Sequence, residues 1–177
     1  FEVFSEQGNI KHVTGKVRAV ANDPTIKESI SFSELNQKCE YQLTSKEVYD
    51  NFAQTEIVQK GRFKVVSDFK YNSTEAIAKL VLSETFKGKN EYGINPTLLD
   101  GAVQTAMTHL FLQTGKQGTI LPFQIGSCIK YQEITPVVYV VSQLKNIESK
   151  KYDVTVYDEK GNKLVELCDF VLRVYQD

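Results

Sequence analysis

Apolar residues recur with two periods along this chain, and the two periods divide it into one long helix and a set of strands. Between Asn95 and Gly115 the apolar positions are Leu98, Leu99, Ala102, Val103, Ala106, Met107, Leu110, Phe111 and Leu112. They surround nearly the whole circumference of a helix. A helix that is apolar all round belongs inside a fold. Asn95 suits the N-cap, Pro96 the first helical position and Gly115 the stop. The spacing therefore predicts a buried helix near residues 96–114. A second, amphipathic helix is predicted over about residues 46–56. There Thr44-Ser45-Lys46-Glu47 reads as a capping box, and Val48, Tyr49, Phe52, Ala53 and Ile57 follow at helical spacing.

Elsewhere the pattern alternates. Residues 64–71 and 76–82 read as strands joined by a turn at Asn72-Ser73-Thr74. Residues 127–134, 137–145, 152–157 and 163–175 read as further strands, the last pair joined through Asp158-Glu159-Lys160-Gly161-Asn162. These are hairpin signals rather than strand-helix-strand units. One long apolar helix amid antiparallel strands gives an α+β fold over residues 45–177, a sheet wrapped around one buried helix, the arrangement called a hotdog. Residues 1–20 read as two short strands about Gly8-Asn9, with Val3, Val13, Val17 and Val20 partly buried, either an edge addition or the end of something preceding. Residues 21–44, with a turn signal at Asn22-Asp23-Pro24, read as a linker on the surface.

Composition narrows the function classes. The chain has 177 residues, 41% of them hydrophobic, enough for one ordinary domain with a real core. Its 21 basic and 22 acidic residues give a net charge of −1, so no electrostatic case for nucleic acid arises. No apolar run is long enough to span a bilayer, and a soluble, cytoplasmic protein is expected. Cys39, Cys128 and Cys168 are odd in number and widely spaced, as reduced thiols would be. The two histidines, His12 and His109, lack ligand-spaced companions, so no metal site is expected. Gly-rich phosphate loops and a Gly-x-Ser-x-Gly elbow are absent.

The chemistry gathers on the long helix. Asp100 and Gln104 lie one turn apart on one face of an otherwise apolar segment. Burying a carboxylate is costly unless something binds or uses it. An Asp in the first turns of a helix is also a favourable partner for the helix dipole, which holds it ionised. Burial pulls the other way, and the two effects compete.

At these residues the chain resembles a known family. Asn95-Pro96-Thr97-Leu98-Leu99-Asp100-Gly101-Ala102-Val103-Gln104 is similar to the Pro-x-Leu-Leu-Asp-x-x-x-Gln signature of dehydratase domains in modular polyketide synthases. Leu121-Pro122-Phe123-Gln124-Ile125-Gly126 resembles the family's downstream Leu-Pro-Phe segment. Tyr49-Asp50-Asn51-Phe52-Ala53 resembles its Tyr-Asp-x-Phe-Ala helix. Phe1-Glu2-Val3-Phe4-Ser5 with His12-Val13-Thr14-Gly15-Lys16-Val17 is similar to the strand pair that ends the first hotdog of such domains. A complete member is a double hotdog. Its first half carries a catalytic histidine in a His-x-x-x-Gly-x-x-x-x-Pro motif, and its second half carries the aspartate. The resemblance implies that this chain is the C-terminal hotdog, beginning after the histidine motif, with residues 1–20 as terminal strands of the preceding hotdog. His12 then occupies a structural strand and His109 the helix core. The chain departs from the family at Gln59-Lys60-Gly61-Arg62-Phe63, where Tyr-Gly-Pro-x-Phe is usual.

The resemblance implies polyketide biosynthesis, antibiotic biosynthesis included, and a hydro-lyase that dehydrates 3-hydroxyacyl thioesters. Asp100 and Gln104 would be its catalytic residues, and Leu121, Pro122 and Phe123 would contact substrate. No cofactor binds directly, since the substrate rides on the phosphopantetheine of an acyl carrier protein. Partners would be that carrier and either the histidine-bearing N-terminal hotdog or neighbouring synthase domains, with a homodimer as a further way to cover the seam. Neither nucleic acid nor a membrane is expected. The isolated chain is expected to be inactive. Two other readings stay open: a non-catalytic dehydratase-like docking domain, and a related branching or isomerising domain.

Overall fold

A computed structural model describes residues 1–5, 10–19, 29–55, 57–83, 93–115 and 118–175. The long helix, α3, runs Pro96–Thr114. Asn95 caps it by accepting hydrogen bonds from the Thr97 and Leu98 amides, and Gly115 ends it in the left-handed conformation at φ 73°. An eight-stranded sheet packs around it, made of β3 (Tyr41–Thr44), β4 (Val66–Tyr71), β5 (Glu75–Val81), β6 (Thr119–Gln124), β7 (Ser127–Lys130), β8 (Val137–Asn146), β9 (Lys151–Tyr157) and β10 (Lys163–Tyr175). The strands are ordered β3-β4-β5-β8-β9-β10-β6, with β7 also on β10. Every pairing is antiparallel. The α+β hotdog read from the sequence is the fold of the molecule.

Period-two alternation builds the concave face. Ala76, Ala78 and Leu80 of β5, Val138 and Val140 of β8, and Tyr152, Val154 and Val156 of β9 join Leu98, Ala102, Ala106 and Leu110 of α3 in one core. Small residues let the helix come close. A Cβ on Gly101 would stand 2.5 Å from Val65 and 2.8 Å from Leu80. Helix α2, Ser45–Ala53, lies against α3 and buries Val48 and Phe52. Its capping box is the expected one, with Thr44 and Glu47 satisfying each other's backbone amides. A single 3₁₀ turn, Gly61–Phe63, leads from this region toward β4.

Three expectations need correction. Residues 29–44 are not a plain surface linker. They form α1 (Phe32–Lys38), capped by Ser31, and the edge strand β3. Helix α1 covers the convex face of the sheet, where Phe32, Leu35 and Cys39 pack on Ile77, Val141 and Tyr157. The Phe32 and Tyr139 rings stack at 4.2 Å. With one apolar stripe three residues long, α1 carries too little periodicity to be read without the sheet beneath it. The Asn22-Asp23-Pro24 turn lies outside the described residues. The strand expected over 127–134 ends at Lys130, and a separate strand, β6, precedes it. Gly126 divides the two, its amide bonded to Cys168 and Asp169 carbonyls of β10.

Finally, β1 (Glu2–Phe4) and β2 (Lys11–Thr14) pair as a separate two-stranded sheet, and all their residues are exposed. Val17 is 85% exposed, so the partial burial expected of Val3, Val13 and Val17 is not found. Two strands alone have no third layer to bury a face against. The Gly8-Asn9 turn and Val20 lie outside the described residues.

Candidate active site

The N-terminal half of α3, α2 and the 3₁₀ turn meet at one polar cluster. Gln104 is 1% exposed and uses its whole amide. Its Nε2 donates to Asp100 Oδ2 at 2.6 Å and to the Phe63 carbonyl at 3.0 Å. Its Oε1 accepts from the Tyr49 hydroxyl at 3.4 Å. A carbonyl can only accept, so the Phe63 oxygen fixes which end of the amide faces it. Tyr49 is fixed in turn, because its oxygen accepts the Val66 amide at 2.9 Å and its proton is left for Gln104. Burial pushes the Tyr49 hydroxyl up to about 12, with a smaller contribution from the Asp100 charge, so it stays a donor at neutral pH.

Asp100 is half-buried. Its carboxyl is raised above the usual carboxylate range by burial first, against the opposing pull of the Gln104 hydrogen bond. Gln104 takes Oδ2 and leaves Oδ1 as the oxygen available to a ligand. A carboxyl with one oxygen clamped and its proton affinity raised by burial is suited to hand a proton to a ligand atom.

The sequence pairing of Asp100 with Gln104 is thus a direct contact. Leu121, Pro122 and Phe123 stand apart from it. They lie on β6, at the far end of the sheet order, with Leu121 and Phe123 exposed. Arg173 of β10 covers the Phe123 ring at 3.2 Å. Among the described residues no hydrogen bond or ring contact joins this segment to Asp100 or Gln104. Sequence reasoning missed Tyr49 and the Phe63 carbonyl as members of the cluster. The signal for Tyr49 was available: a Tyr on the buried face of a helix needs a partner for its hydroxyl. For Phe63 the contribution is a backbone atom, which no side-chain pattern displays. Lys60 and Arg62, in the segment where the chain departs from the family's Tyr-Gly-Pro-x-Phe, are exposed, and the loop reaches the cluster through the Phe63 carbonyl.

The histidines fall elsewhere. His12 is exposed on β2. His109 is fully buried. Its Nε2–H donates to the Asn72 carbonyl and its Nδ1 accepts from the Tyr152 hydroxyl, both at 2.9 Å. Burial lowers its proton affinity, so the ring is held neutral in one tautomer. Cys39, Cys128 and Cys168 are free thiols. Among the described residues no group of three or more His, Cys, Asp or Glu could hold a metal ion, and no helix is long and apolar enough to cross a membrane.

A family model described as polyketide synthase dehydratase N-terminal domain matches residues 28–177. The chain belongs to the polyketide synthase dehydratase family. Solved structures carry the same fold at low identity. The dehydratase domain from the CurK module of the curacin polyketide synthase superposes with a TM-score of 0.76 at 19% identity, covering 87% of this chain and 55% of that one. The dehydratase domain from the CurF module gives 0.77 at 17%, covering 86% and 55%. A trans-AT polyketide synthase dehydratase domain from Brevibacillus brevis gives 0.77 at 20%, covering 85% and 54%. The chain therefore spans little more than half the length of these structures, as one hotdog of a double hotdog would.

Proposed function

We propose that Asp100 is the general acid of a dehydratase acting on 3-hydroxyacyl thioesters carried on the phosphopantetheine of an acyl carrier protein. In that reaction a base takes the α proton, its electrons form the Cα–Cβ double bond, and the β-hydroxyl leaves as water once it is protonated. Asp100 supplies the second proton. The observation that carries this reading is the 2.6 Å hydrogen bond from Gln104 to Asp100, with Gln104 itself anchored on Tyr49 and the Phe63 carbonyl. That clamp aims the carboxyl, and burial favours its protonated form.

The base is a histidine from outside this stretch of chain, because His109 is committed to Tyr152 and Asn72. On this reading the chain is the aspartate-bearing hotdog. The assignment rests on Leu98-Leu99-Asp100 and Gln104, whereas the family model's description speaks of an N-terminal domain. The histidine-bearing hotdog, neighbouring synthase domains and the carrier protein in the cytoplasm are its partners. Exposed apolar residues on β1 and β2, Val3, Phe4 and Val13, with Phe1 just before them, support a contact of this kind, since exposed edges and apolar faces are normally covered.

Mass spectrometry of a 3-hydroxyacyl carrier protein tests the reading. The full protein, or this chain joined by a histidine-bearing half, should release water; this chain alone should not. Asp100→Asn should abolish release while leaving assembly intact. Equal loss of both would make Asp100 structural and favour the docking-domain alternative. Water release by the isolated chain that vanishes in Asp100→Asn would place the base within it.

A further inference from the structure

The loop that carries the Phe63 carbonyl into the cluster also carries three cations in five residues, Lys60, Arg62 and Lys64, all exposed. In a chain of net charge −1 this is a local surplus. Two of the three sit beside the cluster. Lys64 Nζ stands 5.4 Å from the centre of the Tyr49 ring, and the Tyr49 hydroxyl leads through Gln104 to Asp100. Lys60 caps the 3₁₀ turn. It is three residues before Phe63, about 6 Å along the chain at a 3₁₀ rise of about 2.0 Å per residue. Between them Gly61 takes φ 54°, and a Cβ built there would meet nothing within 4 Å, so the turn is open on that side.

Neither lysine is neutralised by the protein. Among the described residues, Lys60 and Lys64 have no carboxylate within 4.0 Å. The acids of the flanking elements are committed elsewhere. Glu47 closes the capping box on Thr44, Asp50 pairs with Lys46 at 2.6 Å, and Asp68 accepts from the Gln42 amide at 3.0 Å. Arg62 is turned over the Phe63 ring at 5.2 Å.

We propose that Lys60 and Lys64 bind the phosphate of the phosphopantetheine arm whose 3-hydroxyacyl thioester is at Asp100. The inference rests on the dehydratase reading above. The arm is long, and its one anionic group lies at the end away from the thioester. With the thioester at Asp100, that group stands outside the cluster, over the surface beside it. An exposed ammonium meets a phosphate there as a mobile point charge and is not itself desolvated. Such a remote contact is made equally before and during the reaction, so it lowers KM and leaves kcat unchanged.

The same 3-hydroxyacyl group as a phosphopantetheine thioester and as a pantetheine thioester tests this in the full protein. Two exposed charge contacts predict about a 10-fold higher kcat/KM for the phosphorylated arm. The preference should reside in KM and shrink as salt rises, because exposed charges are screened. Lys60→Gln with Lys64→Gln should erase it, and Lys60→Arg with Lys64→Arg should keep it. Lys160→Gln, which removes an exposed cation from the turn between β9 and β10, should leave it. No preference in the wild type, or one that survives the double glutamine variant, overturns the inference and leaves the dehydratase reading standing. So does a variant that loses activity only on carrier-bound substrate, since the lysines would then read the carrier's surface. Equal losses with both small thioesters overturn it as well. Water release indifferent to Asp100→Asn would remove the dehydratase reading and this inference together.

Discussion

Helix α3 carries two polar clusters built from the same parts, and they do opposite things. Each pairs a helix side chain with a tyrosine hydroxyl and a backbone carbonyl: Gln104 with Tyr49 and Phe63, His109 with Tyr152 and Asn72. The His109 cluster is closed. Both ring nitrogens are used, the residue is fully buried, and the imidazole is held neutral. The Gln104 cluster is closed around the amide but ends on a half-buried carboxyl with an oxygen to spare. A satisfied buried network specifies and stabilises a core. One that terminates in an incompletely satisfied acid is placed to act on something else. The difference is in where the network stops.

The largest expected effect falls on the open cluster. In the complete protein, Asp100→Asn should lower the rate of water release by about 10²–10⁴-fold while shifting the urea midpoint little. A large loss of stability instead would make the two clusters alike. Breaking the closed cluster should do the reverse. His109→Leu strands the Tyr152 hydroxyl and takes one of two donors from the Asn72 carbonyl, which keeps Gln113 Nε2, and should cost about 2–4 kcal/mol in urea unfolding. An unchanged midpoint would mean the network is not holding the core.

The pH dependences should slope in opposite directions. The folded-state pKa of His109 is lowered, so the unfolded chain binds its proton first. The contribution of His109 is fully present above its unfolded value of about 6.5 and is lost as pH falls through that value toward the folded one. For Asp100 the folded-state pKa is raised, so the folded chain holds its proton more tightly. Its contribution is present below about pH 3.9 and declines as pH rises toward the raised value. Stability profiles of His109→Leu and Asp100→Asn against the wild type should each lose one of these slopes. As a general acid, Asp100 should also make activity fall on the alkaline side of its raised pKa.

Smaller effects sharpen the comparison. Gly101→Ala forces a methyl into Val65 and Leu80 and should cost about 1–3 kcal/mol by overpacking. Tyr49→Phe removes the hydroxyl that accepts from Val66 and donates to Gln104, and should cost about 1 kcal/mol. Activity should fall with it, because the Gln104 clamp loosens. If Tyr49→Phe alters stability alone, Tyr49 is only a packing residue.

Much of this molecule was decided locally. The α3 boundaries follow from Asn95, Pro96 and Gly115, whose capping roles need no neighbours, and the hairpins follow from period-two alternation and short turns. The pairing of Asp100 with Gln104 follows from helical spacing alone, since residues four apart share a face whatever surrounds them. Tertiary structure decided the rest. It brought Tyr49 and the Phe63 carbonyl onto Gln104 across 55 and 41 residues of chain, and it half-buried Asp100, which raises its carboxyl. It turned the stretch before Tyr41 into a helix over the convex face and left β1 and β2 exposed. Each of these depends on which surfaces meet, and an α1 with one short apolar stripe or a backbone carbonyl carries no mark in the sequence of what it will pack against.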